Sequence, residues 1–457
     1  MKIQSAIKIS KQGDGLKTEP LPRLFVRMVI PAVISQLVTV AYNMVDRIYV
    51  GHIPIMGDIA LTGLGVCMPV TIILSAFAQL AGFGGAPSAS LFLGAHDRES
   101  AERTLGSCAL FAAGIGVMLT ALALACSEKI LLFFGASVNT LPYAKSYFTI
   151  YAAGTIFVEL ATGLAFFITA QGRSGTAMIT VLLGAGINIL LDPLFIFTLG
   201  LGVKGAAIAT VLSQAVSCVW VLGFLFGRRG MVRLRFRYLR LDSEMLLPAL
   251  VLGLSPFVQI LTESLTSVFF NRLLLRYGGD QAVGAMTIFA TVMQFSTLSL
   301  AGIANGAQPI ISYNCGAGQP DRVRACCKLV LKTGLTYSVL LWLTIQIFPA
   351  LFPGIFADRM ELVAYSSSMI RTFFAMLWVM GAQVCCQLMF VALGNAKVSL
   401  FLALVRKIFL LIPLILLLPQ ILPDAVRAVY LAEPVADTLA CIATVALFWR
   451  QFRQMVA

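Results

Sequence analysis

Twelve apolar runs, each long enough to cross a lipid bilayer, decide what this chain folds into. Hydrocarbon offers backbone N–H and C=O groups no partner. A crossing segment must satisfy them internally, and about 20 apolar residues in a helix do so. Such runs lie near 24–50, 59–93, 98–125, 138–169, 174–198 and 203–227, and again near 244–275, 281–314, 322–349, 360–391, 397–420 and 424–449. Several exceed 25 residues, which implies tilt, kinks or helix ends standing in water. Of the 457 residues, 59% are hydrophobic and 12% charged, against about 25% charged in a soluble domain. A water-soluble globule and a disordered chain are both excluded. The expected fold is an all-α polytopic membrane protein with twelve transmembrane helices.

Basic residues give the orientation. With the N-terminus inside, and with basic residues toward a span end counted with the adjoining gap, the tails and even-numbered gaps carry 22 Lys and Arg and the odd-numbered gaps seven; Arg47, Arg371, Arg406 and Lys407 are counted within spans. Cytoplasmic loops are the basic ones, so both termini are expected in the cytoplasm. The run RRGMVRLRFRYLR at 228–240, with Phe236 and Tyr238 among six arginines and a chain net charge of +13, has the look of a single-strand nucleic-acid groove. Between two spans it reads instead as a cytoplasmic linker, 228–243, and no nucleic-acid partner is expected. Residues 1–23 lack the apolar core and cleavage site of a leader and read as a cytoplasmic tail before an uncleaved signal anchor. Residues 451–457 read as a second tail. The absence of an N-x-S/T sequon fits a bacterial inner (plasma) membrane. The ten cysteines sit in apolar segments without a C-x-x-C, and the pairs Cys326-Cys327 and Cys385-Cys386 read as small packing residues. His52 and His96 are the only histidines, so a histidine metal site is not expected.

The halves repeat. GDIALTG at 57–63 matches GDQAVGA at 279–285, Pro87 and Gly94 match Pro309 and Gly316, and AQGRS at 170–174 matches ALGNA at 392–396, all at an offset of 222. Pro31 precedes Asp46 by fifteen residues, as Pro256 precedes Asn271. Six spans per repeat is an even number, so both halves enter the membrane in the same direction. An axis along the membrane normal should relate them, as in transporters with a site between two parallel repeats. The expected lobes are 24–227 and 244–450, around a central cavity.

A charge at mid-membrane costs about 2.5–3.5 kcal/mol on insertion scales, so each one asks for a cavity or a partner. At 1.5 Å per residue, Asp46 lies about 6 Å below the outer end of span one and Asp192 about 9 Å below that of span five. Asn188 is one turn from Asp192 on the same face, Thr210 lies about 10 Å down span six, and Tyr42 is one turn from Asp46. Singly, Asp46 reads equally well as a helix-end charge and Asp192 as a cap on the break at Pro193. Their shared depth favours a cluster of hard oxygen ligands, suited to Na⁺ or to a proton shared between acids. Glu159, about 15 Å from the inner end of span four, reads as lining an inward-facing cavity or as pairing with a neighbouring helix. Glu263, with Gln259 one turn earlier in the polar stretch QILTESLTS, is expected to face the central cavity. Arg406 and Lys407 are expected to pair with acids or snorkel. Pro31, Pro193, Pro256, Pro413 and Pro434 fall inside spans as candidate kinks, and AGFGGAPS at 81–88 suggests a broken or closely packed helix. No nucleotide-binding, zincin or nucleophile-elbow signature is present. An enzyme is therefore not expected. Transport should run on an ion gradient or downhill, without a cofactor.

Together PAVISQLVTVAYNMVDRIYVG at 31–51, AQGR at 170–173, NILLDP at 188–193, GAAIAT at 205–210 and IPLILLLP at 412–419 resemble the multidrug and toxic compound extrusion (MATE) transporters, closest to the DinF-like and MepA-like bacterial branches. The resemblance spans about Leu24 to Arg450. It implies export of lipophilic, often cationic compounds in exchange for H⁺ or Na⁺, by two six-helix lobes around a central cavity. It implies a cation site at Asp46, Asn188, Asp192 and Thr210, with Tyr42 nearby, and a hinge at Pro31. Another branch uses acids in spans seven and ten. Here span seven has Glu263, but span ten has Arg371 and no acid. Small-molecule substrates and membrane lipids are the expected partners, and a monomer is expected. The alternative within the superfamily, a flippase for lipid-linked oligosaccharides, should line its cavity with Arg or Lys to hold pyrophosphate; the embedded acids favour cationic cargo.

Overall fold

The structure, a computed structural model, describes residues 15–53, 57–228, 230–356 and 360–454, with the backbone alone for 57–61 and 452–454. Residues 1–14 and 455–457 of the expected tails, and Arg229 of the linker, lie outside the described residues. Among those described there are helices and no strand. The first half holds α1 (Leu21–Gly51), α2 (Gly57–Gly94), α3 (Arg98–Phe133), α4 (Leu141–Ala153), α5 (Thr155–Ala170), α6 (Ser174–Pro193) and α7 (Val203–Phe226). The second half holds α8 (Ser243–Gly316), α9 (Pro320–Ile347), the short α10 (Leu351–Phe356), α11 (Met360–Phe373), α12 (Leu377–Ala392), α13 (Ala396–Leu404), α14 (Ile412–Ile421) and α15 (Ala425–Gln454).

Twelve crossings follow from these elements. Nine described helices are long and apolar enough to span, and α4 with α5 and α11 with α12 form two more spans, each bent by 55°. The 74 residues of α8 would run about 110 Å if straight, far beyond one bilayer. It turns back at Gly279 (φ 63°, ψ −163°), a conformation essentially confined to glycine, and so makes two crossings. Starts are set by local chemistry: the Asp97 carboxylate accepts the Ser100 N–H, Asn395 caps α13 in the same way, and Pro320 opens α9 where no N–H is needed.

The repeat is visible in the helix boundaries. Leu21 and Ser243, Arg98 and Pro320, Ser174 and Ala396, and Val203 and Ala425 all start helices 222 residues apart, and the helix start at Gly57 matches the break at Gly279. The two bends, at Gly154 and at 374–376, obey the same offset. Pro31 and Pro256 stand three residues out of that register, which instead pairs Pro31 with Gly253. The bends also fall away from the prolines: α1 runs unbroken through Pro31 and α2 through Pro69 and Pro87. Gly154 bends where a Cβ would run into Val211 of α7. AGFGGAPS marks close packing without a break.

At the end of the bundle that carries the described chain termini, the two lobes seal against each other through glycine. Backbone of Ala249 and Gly253 stands where a Cβ of Gly84 would go, and Met28 and Val29 of α1 occupy the same place for Gly306. Gly94 meets Tyr313, and Gly316 meets Leu91. Gly84 and Gly306, like Gly94 and Gly316, are 222 residues apart. The reciprocity is what a two-fold axis between parallel repeats requires. Toward the other end the packing opens. In α1, Leu24, Phe25, Met28 and Val29 are buried, and no further residue is until Val50.

Two segments close over the sealed end. The linker is folded onto the first lobe: Met231, Val232, Leu234 and Tyr238 are buried, Val232 donates its N–H to Gln171, and Arg235 pairs with buried Glu102 at 2.8 Å. Arg103 bonds Asp242, holding that carboxyl below its usual range. Ahead of α1, Leu16 packs beside Gly172 of the first lobe. Its carbonyl accepts from Asn314 (3.1 Å) and Arg322 (3.2 Å) of the second, and the Glu19 carbonyl also accepts from Arg322 (2.6 Å). This short strap bridges the lobes.

Candidate functional site

The half of the first lobe away from the termini brings Asp46, Asn188, Asp192 and Thr210 together. Asn188 and Asp192 sit one turn apart on α6, and both are buried. Pro193 follows, and α6 relaxes into a π turn at Leu194–Thr198; single π turns inside helices recur at functional sites. The Asn188 amide donates to Asp192 Oδ1 (3.1 Å) and to Thr210 Oγ1 (3.5 Å) across to α7. Thr210 commits its own proton to the Ala206 carbonyl (3.0 Å), so its lone pairs face Asn188. Asp46, from α1, stands within electrostatic reach of Asp192. Two oxygens, Asp46 Oδ1 and Asp192 Oδ2, are buried without a hydrogen-bond partner. Arg47, the next residue of α1, stands within electrostatic reach of Asp46 but makes no ion pair with either acid; its guanidinium donates to Met68 Sδ at 2.8 Å. Buried acceptors without donors are costly until a proton or cation joins them. The donor set fits either one, with two carboxyls, an amide and a hydroxyl. Tyr42 lies within electrostatic reach of Asp46 as well.

Sequence reasoning missed Tyr147. Its hydroxyl lies near Thr210, and it stacks on Tyr151, 6.1 Å between ring centroids. Tyr151 in turn faces Ser75 of α2 at 3.5 Å. The signal was available, because Tyr147, Tyr151, Thr155 and Glu159 recur every four residues along span four.

Glu263 is exposed on the first crossing of α8, and Gln259 is half-buried one turn earlier on its face. The rest of that polar stretch is spoken for. Thr262 and Thr266 are buried and donate back to their own helix, to Val258 (2.9 Å) and Thr262 (2.6 Å) carbonyls. Phe77 of α2 and Phe257 of α8 meet edge to face across the lobes at 4.9 Å. Glu159 lies elsewhere: fully buried within the first lobe, its side chain packed against Gly116 of α3. In this conformation it neither reaches the gap between lobes nor forms an ion pair. Arg371 does not stand in for the missing span-ten acid; it is exposed and bonds the Gln346 carbonyl at 3.1 Å.

Arg406 and Lys407 are buried on a π turn after α13 and are paired. Arg406 meets Asp437 at 2.7 Å and Glu433 at 3.7 Å, and Lys407 meets Glu433 at 3.3 Å. Glu433 and Asp437, one turn apart on α15, complete a neutral quartet. The adjacent Arg-Lys and the four-residue acid spacing are its sequence signal.

Comparison with known proteins bears on this geometry. The chain is 26% identical over 302 residues to the multidrug export protein MepA of Staphylococcus haemolyticus, a match spanning 66% of each protein. It is 24% identical over 388 residues to MepA of Staphylococcus aureus strain N315, spanning 85% of each. A solved structure of the MATE multidrug transporter DinF-BH superposes with a TM-score of 0.87 at 34% identity, over 95% of this chain and 96% of that one. The fold also matches an outward-facing conformation of a MATE family transporter of the MOP superfamily, TM-score 0.90 at 23% identity, over 97% and 98%. The MatE family model covers residues 31–194 and 257–417, one segment in each half of the repeat, and this chain belongs to the MATE family of transporters.

Proposed function

We propose that the chain is a secondary active exporter of lipophilic, cationic compounds, exchanging them for H⁺ or Na⁺ across a bacterial inner membrane. The observation that carries this reading is the pair of orphaned carboxylate oxygens, Asp46 Oδ1 and Asp192 Oδ2, brought into one lobe by α1 and α6. Fully loaded, with two protons or with one proton and Na⁺, the pair of carboxyls is neutral and the cluster closes. Unloaded, its charges need water and favour an open path, so occupancy biases the lobe's conformation. The first lobe is 24–227, the basic linker 228–243 and the second lobe 244–450. The 22-to-7 basic asymmetry puts both termini and the glycine-sealed end in the cytoplasm. The open end then faces outward, with Glu263 exposed to meet cationic cargo. Pro31, where the α1 ladder lacks an N–H, is the hinge through which a change at Asp46 bends the helix. The buried quartet argues against a lipid-linked oligosaccharide flippase, because Glu433 and Asp437 already neutralise Arg406 and Lys407.

The experiment is cationic dye efflux from proteoliposomes under separately imposed proton and sodium gradients. Wild type should pump under at least one. Asp46→Asn and Asp192→Asn should be monodisperse and inactive, since removing an embedded charge lowers the insertion cost. A monodisperse mutant pumping at wild-type rate would remove that residue from the coupling site.

A further inference from the structure

Glu159 is the deepest unexplained charge in the molecule. It is fully buried, and neither carboxyl oxygen has a hydrogen-bond partner; the neighbouring Thr155 hydroxyl, also fully buried, has none either. The helices packed around α5 offer no compensation. Residues 62–94 of α2, 104–127 of α3, 174–191 of α6, 205–226 of α7 and 245–262 of α8 contain no Lys, Arg, His, Asp or Glu. The titratable groups on those stretches are the thiols Cys67, Cys108, Cys126 and Cys218. On α4, Lys145 is already paired with Glu128 at 2.7 Å near the opposite end, which leaves the tyrosines 143, 147 and 151. Room for the acid is provided on purpose, since Gly116 of α3 faces its Cβ and Cγ.

The surroundings link it to the cation site. Tyr147, Tyr151, Thr155 and Glu159 follow at four-residue spacing along one span, crossing the 55° bend at Gly154. Tyr147 lies near Thr210 at one end, and Tyr151 stands within electrostatic reach of Glu159 at the other. An uncompensated carboxylate at such depth is strongly unfavourable, and an apolar residue would fill the space at lower cost. A single carboxyl and one hydroxyl supply too few oxygens to replace a metal ion's shell of six or more. The ligand that fits is the proton.

We propose that Glu159 is a second proton-binding site of the first lobe, separate from the Asp46–Asp192 cluster and joined to it by the Tyr147–Tyr151 ladder. A proton from water adds to a carboxylate oxygen when the lobe is hydrated, and is held while the lobe is sealed. It returns to water when the bend at Gly154 readjusts. The transport role rests on the exporter reading above; the protonation itself does not.

Infrared difference spectroscopy of the whole protein in lipid nanodiscs, titrated across the neutral range, tests the protonation. Wild type, Asp46→Asn and Asp192→Asn should share a protonated-carboxyl C=O band that Glu159→Gln lacks and Glu159→Asp restores at shifted frequency. In proteoliposomes, Glu159→Gln should cut proton-driven dye export by about 5–150-fold, the usual span of coupling between sites, with dye binding unchanged; Glu159→Asp should keep partial export. Persistence in Glu159→Gln of the band common to wild type, Asp46→Asn and Asp192→Asn, or its removal by sodium alone, overturns the proposal. So does a Glu159→Gln protein moving as many protons per dye as wild type. If wild type moves no dye under any gradient, the exporter reading fails, and the infrared band still decides the fate of the site.

Discussion

Gly94→Ala should open the sealed end of the molecule. A Cβ there meets the Tyr313 carbonyl and stands 2.9 Å from the Ala317 nitrogen, both backbone atoms that cannot rotate aside. Ordinary contact lies near 3.5–4.0 Å, so α2 and the second crossing of α8 must part by roughly 1.5–2 Å. Overpacking of this kind costs about 1–3 kcal/mol. Alanine's better helix propensity acts in both conformations and cancels. The equilibrium should therefore shift away from the sealed state by roughly 5–150-fold, and Gly316→Ala, which meets Leu91 from the other side, should do the same. Spin-label distances in a cysteine-free background report it. Labels at the exposed Phe236 and Asp321 sample the terminal end, and labels at the exposed Val138 and Ile421 sample the opposite one. The first pair should move apart and the second together. Unchanged distance distributions in a folded Gly94→Ala protein would refute the idea that this glycine contact sets the balance.

Three other outcomes follow. Arg406→Met leaves Asp437 buried without its partner and should destabilise the fold by about 3–5 kcal/mol, whereas Arg406→Met with Asp437→Leu should recover most of it; thermal unfolding in detergent measures both. Glu263→Gln should weaken export of cations more than of neutral compounds in side-by-side efflux assays, and equal losses would assign Glu263 another role. Because Arg103 depresses the Asp242 carboxyl, the docking this pair gives the linker is complete above the ordinary value of 3.8 and is lost as pH falls below it, through the depressed one. Hydrogen exchange in 231–242, corrected for intrinsic rates, should therefore rise only in acid, and Arg103→Gln should flatten that rise.

The spans and the repeat were legible because bilayer thickness fixes helix length and because GDIALTG and GDQAVGA mark the same turn. The cluster of Asp46, Asn188, Asp192 and Thr210 was legible for a related reason. Depth along a helix can be counted from sequence, and polar residues at one depth are few. Direction around the bundle cannot be counted in that way. Glu159 was therefore read as lining an inward-facing cavity or pairing with a neighbouring helix, although Gly116 holds it inside the lobe. Glu433 and Asp437 were passed over although their partners were noted. The two breaks do not fall at prolines, since a helix can tilt its carbonyls around a proline and remain continuous. The break falls instead at Gly154, where Val211 fills the space a side chain would take.

The strap formed by Leu16 and Glu19 gives the sealed end a thermal bias. Three hydrogen bonds to Asn314 and Arg322 hold it, each worth about 0.5–3 kcal/mol net and largely enthalpic. Freeing its few residues returns about 1–2 kcal/mol of backbone TΔS apiece at 25 °C. The two contributions are of similar size and opposite temperature dependence. Cooling should hold the lobes clasped and warming should release them, so the rate at which this end opens should rise with temperature more steeply than lobe packing alone dictates. A chain shortened to begin at Pro20 should lose that extra steepness.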